Sequence, residues 1–408
     1  MPELATIQNA LLAYTANVLS GKQVGIEELE SEESLFQECR HQSVALLLFP
    51  SIKNKLSSEL HGKWAQYSHQ LLAANLRSEL AHCQLHQIMA AASIPYVIMK
   101  GCASAAYYPD PALRTMGDVD FLISPSDLEQ AKQALEAAGY TRDFGHDDRV
   151  HISYHKGEGA SKIILEMHWE PNGVPAGKNG EIVREYLGTC ISEAIPYETP
   201  SGIFMGPSHF HHGLILLLHT ATHLINSGVG LRHLCDWAVF VETFSDEEFC
   251  NVFEQKLKAA GLWRFAQILT QLSSAYLGCS KKTWAGNPDS DYLEELMADI
   301  LAGGNFGKKD SQRLNQAKLM TDKKTGTVTE TSMFKQFCRT MNEKAALTLP
   351  VIKRFRILLP IGWLYVGLRH LIRVLTGKRA KINLKSTLSG AEQRSILYRQ
   401  LRLFEIEE

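Results

Sequence analysis

The pattern of apolar positions predicts helices at both ends of the chain and short strands between them. Residues 1–92 carry apolar side chains at three- and four-residue spacing, as in SLFQECRHQSVALLLFPSI and KWAQYSHQLLAANLRSELAHCQLHQIMAAA. This spacing collects the apolar side chains on one face of an α-helix. We therefore predict an N-terminal helical region over 1–92.

Between residues 93 and 200 the helical period gives way to short apolar runs. PYVIMKG and DVDFLIS predict two strands, and VHISYHK and SKIILEMHW, separated by GEGA, predict a β-hairpin. CASAAYY predicts a short helix, PDPALRTMG a loop, and SPSDLEQAKQALEAAGY a helix with serine caps at its start and a glycine at its end. The order strand, short helix, strand, helix, hairpin predicts a small mixed α/β domain.

The helical period returns after residue 200. GPSHFHHGLILLLHTATHLI, GLRHLCDWAVFVETF and CNVFEQKLKAAGLWRFAQILTQLSSAYLG predict a helical domain over 201–301. Residues 302–332 are polar and rich in Gly, Lys and Thr, which predicts a linker or loop. A C-terminal helical region is predicted over 333–408. The expected fold class is therefore α+β, with a small mixed-sheet domain over 93–200 embedded between helical regions.

Composition narrows the classes of function. The net charge of the 408-residue chain is −2, so no basic surface is expected and no nucleic-acid partner is predicted. The eight cysteines include no CxxC pair, a pattern typical of free thiols in a reducing cytosol. The N-terminus has no basic segment followed by an apolar run, so we expect no signal peptide and a cytoplasmic location.

The most apolar run is ILLPIGWLYVGL, residues 357–368. It is shorter than the roughly 20 apolar residues that a membrane-spanning helix needs, so no transmembrane segment is expected. Two interpretations stay open: a buried helix with a solvated basic edge, which we favour, and an interfacial helix in peripheral contact with a membrane. The basic residues beside the run are Lys353, Arg354, Arg356, Arg369, Arg373, Lys378, Arg379 and Lys381.

Three carboxylates mark the candidate chemistry. Side chains alternate between the two faces of a strand, so Asp118 and Asp120 share a face of DVDFLIS, and Glu166 and His168 share a face of IILEMHW. If these strands are neighbours, three acids meet, and they stay ionised together only beside a cation such as Mg²⁺ or Mn²⁺. Two such ions would serve phosphoryl or nucleotidyl transfer. The alternative is a solvated strand end.

The residues around the acid pair suggest a phosphate site. The strand that ends at Lys100 and Gly101 leads into a small-residue helix, and a helix N-terminus is a natural seat for phosphate. Glycine allows a close approach of the backbone to a ligand. Arg114, four residues before the first aspartate, is a candidate bidentate donor to a triphosphate.

These motifs together resemble the polymerase-β-like nucleotidyltransferase superfamily and, more closely, the uncharacterised bacterial nucleotidyltransferase family. The resemblance covers about 93–243 and rests on VIMKG, YYPDPALRTMGDVDFLI, LEMHW and GLRHLCDWAVFV. It implies that Asp118 and Asp120 hold the catalytic metals, and that Glu166 is a third ligand and a candidate base. It also implies that Gly101, Cys102 and Ser104 line the triphosphate, with Cys102 standing where the family has Ser or Gly.

The resemblance implies a transferase that moves a nucleoside monophosphate from a nucleoside triphosphate (NTP), ATP among the candidates, to an unknown acceptor. The acceptor is a hydroxyl or phosphate of a small molecule or a protein, and pyrophosphate is released. The alternative is a catalytically silent nucleotide-binding or interaction protein on the same fold. The expected nucleotide-binding residues are Lys100, Gly101, Cys102, Ser104, Arg114, His168, His223 and Arg232.

Two pairs on the later helices leave alternatives open. His219 and His223 in HTATH have the spacing of a zinc pair but lack the glutamate of a metalloprotease. They are either core histidines or a pair beside the active-site cleft that contacts phosphate or base. Arg232 and Asp236 stand four residues apart, so they either pair on the helix surface or face the nucleotide domain.

Overall fold

The computed structural model describes residues 4–21, 31–144, 150–310, 312–322, 327–328, 333–376 and 384–406. The α-helices are α1 (Thr6–Ser20), α2 (Glu32–His41), α3 (Ala45–Ile52), α4 (Ser58–Ala91), α5 (Cys102–Ala105), α6 (Leu128–Ala137), α7 (Lys178–Leu187), α8 (His209–Asn226), α9 (Leu231–Glu242), α10 (Asp246–Phe249), α11 (Gln255–Ala259), α12 (Trp263–Tyr276), α13 (Ser290–Gly303), α14 (Arg313–Met320), α15 (Met333–Thr348), α16 (Val351–Arg354), α17 (Leu359–Leu375) and α18 (Leu384–Arg399). The strands are β1 (Tyr96–Ile98), β2 (Val119–Ile123), β3 (Thr141–Arg142), β4 (His151–Lys156), β5 (Ile163–His168), β6 (Ile195–Thr199), β7 (Gly202–Gly206), β8 (Thr321–Asp322) and β9 (Thr327–Val328).

The central sheet has five strands in the order β1-β2-β5-β4-β3. β2 runs parallel to β5, whereas the other neighbouring pairs are antiparallel. β4 and β5 form the predicted hairpin, and its return strand inserts beside β2 rather than at the sheet edge. The α+β fold class predicted from the sequence is confirmed.

The sheet separates two apolar cores. Phe121 and Met167 on one face pack with α4, whose Leu85 and Met89 are fully buried. Val97 and Leu122 on the other face join the larger core of α8, α9 and the N-terminal helices. Asp120 and Leu122 are two residues apart on β2, so their side chains share one face of the sheet. The acidic side chains therefore face the helical domain.

The segment 302–332, predicted as a linker or loop, contains α14. The guanidinium of Arg313 is buried and lies 2.8 Å from a carboxylate oxygen of Asp299 on α13, while α14 packs against α8 and α18. The loop prediction is therefore wrong for α14. The segment is polar in composition, but a buried ion pair stabilises a helix there. Residues 311, 323–326 and 329–332 of this segment lie outside the described residues.

The preferred interpretation of the apolar run 357–368 as a buried helix is wrong. The run belongs to a helical stretch from Arg356 to Leu375, and only 6% of the most apolar window of this stretch is buried inside the protein. This stretch has 20 residues, and its most apolar 18-residue window has a mean hydropathy of 1.3, so by length and composition it meets the requirement for crossing a membrane. Lys378, Arg379 and Lys381 lie outside the described residues.

Candidate functional site

The three predicted carboxylates line one cleft. Asp118 immediately precedes β2, Asp120 lies within β2, and the parallel register places Asp120 opposite Glu166 on β5. The cleft has a volume of about 330 Å³ and is also lined by residues of α8 and α9. β2 and β5 are thus neighbours, as the hypothesis of three meeting carboxylates requires.

Asp120 is the most enclosed of the three acids, at 3% exposed. Its Oδ2 lies 3.1 Å from Nζ of Lys100, and its Oδ1 lies 3.3 Å from Nε2 of His168. Burial alone would raise the pKa of Asp120, but the charge of Lys100 and the hydrogen bond from His168 outweigh it and hold this pKa well below its ordinary value. Asp120 is therefore ionised at neutral pH.

His168 bridges two of the carboxylates. Its Nε2 also lies 3.5 Å from Oε2 of Glu166, and the ring is 1% exposed. Burial lowers the pKa of His168, whereas the hydrogen bonds to Asp120 and Glu166 raise it, and the net shift is upward. In its protonated form, His168 offsets part of the mutual repulsion of the two acids.

Asp118 carries the uncompensated charge of the cluster. Burial and the neighbouring Asp120 and Glu166 raise the pKa of Asp118 to about 6. Within the described part of the chain, its side chain forms neither a hydrogen bond nor an ion pair. Carboxylate oxygens are the ligands that Mg²⁺ and Mn²⁺ take in proteins, so this donor set and its surplus negative charge fit a divalent cation held by Asp118, Asp120 and Glu166.

The turn after β1 requires glycine. Gly101 has φ +68°, and a Cβ atom built there would lie 2.7 Å from Nε2 of His82. The Gly101 carbonyl lines the turn and accepts a hydrogen bond of 3.2 Å from Nη1 of Arg114. Lys100 and Gly101 both lie at the cleft, next to the carboxylates.

Two predicted triphosphate contacts are placed elsewhere. Cys102 is buried, with its Sγ 3.6 Å from Nδ1 of His82 and 3.5 Å from Sδ of Met116. Ser104 Oγ is buried 3.0 Å from Nε2 of His212. The structure does not bring Cys102 or Ser104 to the cleft, because the short helix α5 packs its small side chains against α4 and α9.

Arg114 lines the cleft, and its guanidinium is engaged by a carboxylate. Its Nε and Nη2 donate to the two oxygens of Asp236 on α9, each over 2.7 Å, and both side chains are buried. Tyr108 donates a third hydrogen bond, also of 2.7 Å, to Asp236. The pair ties the loop before β2 to the helical domain. Asp236 therefore pairs with Arg114, and a surface pair between Asp236 and Arg232 is not formed.

Arg232 supplies a cationic donor to the cleft. Its Nη1 donates to the Thr115 carbonyl over 3.0 Å, and the guanidinium carbon lies 5.9 Å from the ring centre of Phe306. Its Nε is buried without a hydrogen-bond partner among the described residues. Arg232 lines the cleft with donor capacity left for an anionic ligand.

His223 lies deeper than the sequence hypothesis assumed. Its Nδ1 is 3.2 Å from Oγ of Ser227, and its ring lies edge-on to His219, which does line the cleft. Burial, with the charges of Lys100 and Arg232, lowers the pKa of His223 to about 3. The imidazole is therefore neutral.

Part of the cleft wall is formed by residues that the sequence motifs do not indicate. These additional residues come from α2, the turn after α2, α4 and the segment between α13 and α14: Arg40, Ser43, Tyr67, Leu71, Asn305, Phe306 and Lys308. No local motif marks them, since they reach the cleft only through the packing of distant helices. Arg40 and Lys308 add positive charge to that of Lys100 and Arg232.

Comparison with known proteins agrees with this geometry. A family model described as an uncharacterised nucleotidyltransferase matches residues 29–278. No curated protein matches the chain. The matched segment contains the whole sheet, the three carboxylates and α8 and α9, and it covers more than half of the chain. The chain therefore belongs to this family of uncharacterised nucleotidyltransferases.

Proposed function

We propose that the protein is a nucleotidyltransferase dependent on Mg²⁺ or Mn²⁺. It would transfer a nucleoside monophosphate from an NTP to a hydroxyl or phosphate acceptor and release pyrophosphate. The observation that carries the proposal is the parallel register of β2 and β5, which sets Glu166 opposite Asp120. Both residues line one cleft with Asp118, which lies two residues before Asp120.

The side chains of the cleft have separable roles in this proposal. Asp118, Asp120 and Glu166 would hold the divalent ion, which supplies charge neutralisation on the phosphates when bound. Lys100 and His168 keep Asp120 ionised and fix its two oxygens. Catalysis in such a site is mostly positioning and electrostatics.

Two further groups complete the reaction. Arg232 lines the cleft and carries positive charge, so it would bind phosphate oxygens of the NTP. Glu166, which is less buried than Asp120, would accept the proton of the acceptor hydroxyl at a carboxylate oxygen.

The first test is thermal stability with each NTP, with and without Mg²⁺. Ligand at 100 times its dissociation constant adds about 2.7 kcal/mol to the free energy of unfolding, which raises the melting temperature by several degrees. We expect a shift that needs both NTP and Mg²⁺ and is absent in Asp118→Asn/Asp120→Asn. The matched control is Glu136→Gln/Glu158→Gln, which neutralises two exposed acids of the same domain. An equal shift in both double variants would contradict the proposed site.

One observation favours a second candidate, a nucleotide-binding protein without turnover. Both oxygens of Asp120 are already engaged, by Lys100 and by His168, so a metal must share or displace these partners. Pyrophosphate release separates the two functions: a silent protein shows the thermal shift but releases no pyrophosphate from any NTP.

A further inference from the structure

Three histidines converge where α8 meets α9. His219 and His223 lie one turn apart on α8, and His233 lies on α9. One ligand atom from each ring lies within 4.8 Å of the other two. The ring centres are 4.4 Å apart for His219 and His223 and 5.3 Å apart for His219 and His233.

The cluster leaves imidazole nitrogens unsatisfied. His233 is 3% exposed, and neither of its ring nitrogens has a hydrogen-bond partner within the described part of the chain. Burying a polar atom without a hydrogen-bond partner is costly, and a bound ion is one of the few arrangements that removes this cost. His223 has Ser227 at its Nδ1, which leaves Nε2 as the available ligand atom.

The surroundings keep the three rings neutral, the form in which imidazole binds metals. Burial is the main cause that lowers the pKa of His219, His223 and His233, with Lys100 and Arg232 adding to it. Asp120 acts in the opposite direction on His223.

We propose that His219, His223 and His233 form a binding site for a late first-row divalent metal, with Zn²⁺ the preferred ion, distinct from the carboxylate site. Three imidazoles are a known ligand set for zinc, and soft or imidazole donors select it over Mg²⁺. A tetrahedral ion with Zn–N bonds of about 2.0–2.1 Å needs nitrogens about 3.3 Å apart. In the structure these atoms lie within 4.8 Å of one another, so a bound zinc ion would draw them closer together.

The site leaves a fourth ligand position. Because His219 lines the cleft, this position opens toward the nucleotide site, and Phe306 packs edge-on against His223 at 4.7 Å on another side. The positive charges of Arg232 and Lys100 repel a metal cation bound at the histidines. An anionic fourth ligand, such as hydroxide or a phosphate oxygen, would reduce this repulsion and is therefore expected. The site does not depend on nucleotidyl transfer and is tested separately from it.

The test is titration of the full-length protein, freed of metal by chelator, with Co²⁺ as a spectroscopic substitute for Zn²⁺. We expect about one Co²⁺ per chain with the intense visible absorption of tetrahedral cobalt, displaced by Zn²⁺. His233→Gln should weaken Co²⁺ binding at least tenfold. Asp118→Asn/Asp120→Asn and the control His209→Gln, an exposed histidine of α8, should bind Co²⁺ like the wild type.

Several results would overturn the proposal. They are an absence of tetrahedral absorption in the wild type, unchanged binding in His233→Gln, or loss of binding in the aspartate double variant with retention in His233→Gln. His219→Gln, at a less buried ring, repeats the test if His233→Gln does not fold, and circular dichroism establishes folding in each case.

A separate observation concerns α17, which exposes an apolar stripe. Residues at three- and four-residue spacing lie on one face and are between 53% and 77% exposed: Ile361, Leu364, Leu368, Leu371 and Leu375. The opposite side packs against α15, where Trp363 Nε1 donates to Asn342 over 2.9 Å and Gly362 lies against Ala345. The exposed face of a soluble helix is ordinarily polar, so this stripe indicates a binding surface.

The charges beside the stripe identify its partner. From 351 to 376 the chain has five basic residues, namely Lys353, Arg354, Arg356, Arg369 and Arg373, and no Asp or Glu. Apolar side chains flanked by Lys and Arg fit the surface of an anionic membrane. The chain also returns to the protein body after α17, since α18 packs against α14. We infer that α17 lies in the plane of an anionic lipid surface.

Co-sedimentation with vesicles tests this inference. We expect the full-length protein to bind phosphatidylglycerol-containing vesicles and to lose at least tenfold in binding to pure phosphatidylcholine. Leu364→Gln/Leu368→Gln should abolish binding, whereas Leu76→Gln/Leu80→Gln, which changes two exposed leucines of α4, should not. Equal binding by both double variants, or self-association of the protein without vesicle binding, would overturn the inference.

Discussion

The buried ion pair between Arg114 and Asp236 gives the sharpest test of how the cleft is built. The side chains are 4% and 7% exposed and share two hydrogen bonds of 2.7 Å. We consider the substitution Asp236→Asn, which leaves the shape of the side chain and removes its charge. Arg114 then stays buried without a counter-charge.

The expected loss of stability follows from this burial. Removing one partner of a buried ion pair costs about 3–5 kcal/mol, because the other charge is left uncompensated. Tyr108 donates to the same carboxylate, and in Asp236→Asn it would donate to a neutral amide oxygen instead. Because this hydrogen bond is weaker, the loss of stability should lie toward the upper end of that range. The exposed pair of Lys132 and Glu129, with Glu129 at 79% exposed, is the matched control, and Glu129→Gln should cost less than about 1 kcal/mol.

Urea denaturation measures both free energies of unfolding, and a thermodynamic cycle assigns the cause. Arg114→Met/Asp236→Leu removes both charges and should be more stable than the sum of the losses in Arg114→Met and Asp236→Leu predicts. A loss below about 1 kcal/mol in Asp236→Asn, together with lost NTP binding in Arg114→Met, would contradict a structural role for this ion pair. Arg114 would then be a phosphate ligand rather than a link between the sheet and α9.

Further predictions concern single positions. Gly101→Ala should cost about 1–3 kcal/mol in thermal unfolding, because of φ +68° and the contact with His82, whereas Gly62→Ala on α4, with open space around it, should be neutral or stabilising. Burial raises the pKa of Asp236, but the guanidinium of Arg114 outweighs it and lowers this pKa below 3.8. The stability that the ionised Asp236 contributes is therefore present above pH 3.8 and is lost as the pH falls through the lowered pKa. Asp236→Asn should accordingly lose less stability than the wild type on acidification, which unfolding measured against pH will show. Ser104→Ala should leave NTP affinity by calorimetry within twofold of the wild type, since this hydroxyl lies outside the cleft.

Local patterns in the sequence were enough to predict the carboxylate centre. Alternation along each strand places Asp118 and Asp120 on one face of β2 and assigns Glu166 to one face of β5, and the three acids meet because β2 and β5 are neighbours. The apolar runs, the glycine turn and the hairpin signal also predicted the sheet domain. These features depend on residues close in sequence, where propensity and periodicity are informative.

Contacts between distant segments were beyond the sequence. Arg114 and Asp236 are 122 residues apart, and nothing local distinguishes a guanidinium that binds phosphate from one that binds a buried carboxylate. His233 carries no spacing signal that links it to His219, because the link arises from the packing of α8 on α9. The exposure of α17 was also hidden, since an apolar run is equally compatible with a core and with a lipid surface.

Nucleotidyl transfer at the carboxylates is tested most directly with NTP labelled at the α-phosphate, by measuring pyrophosphate release and the transfer of label to components of a cell extract supplied as acceptors. We expect label transfer and pyrophosphate in equal amounts, dependent on Mg²⁺ or Mn²⁺. Both should be lost in Asp118→Asn/Asp120→Asn and kept in Glu136→Gln/Glu158→Gln. Equal release of pyrophosphate by the aspartate double variant, or by the wild type without a divalent ion, would contradict a metal-dependent transfer at these carboxylates.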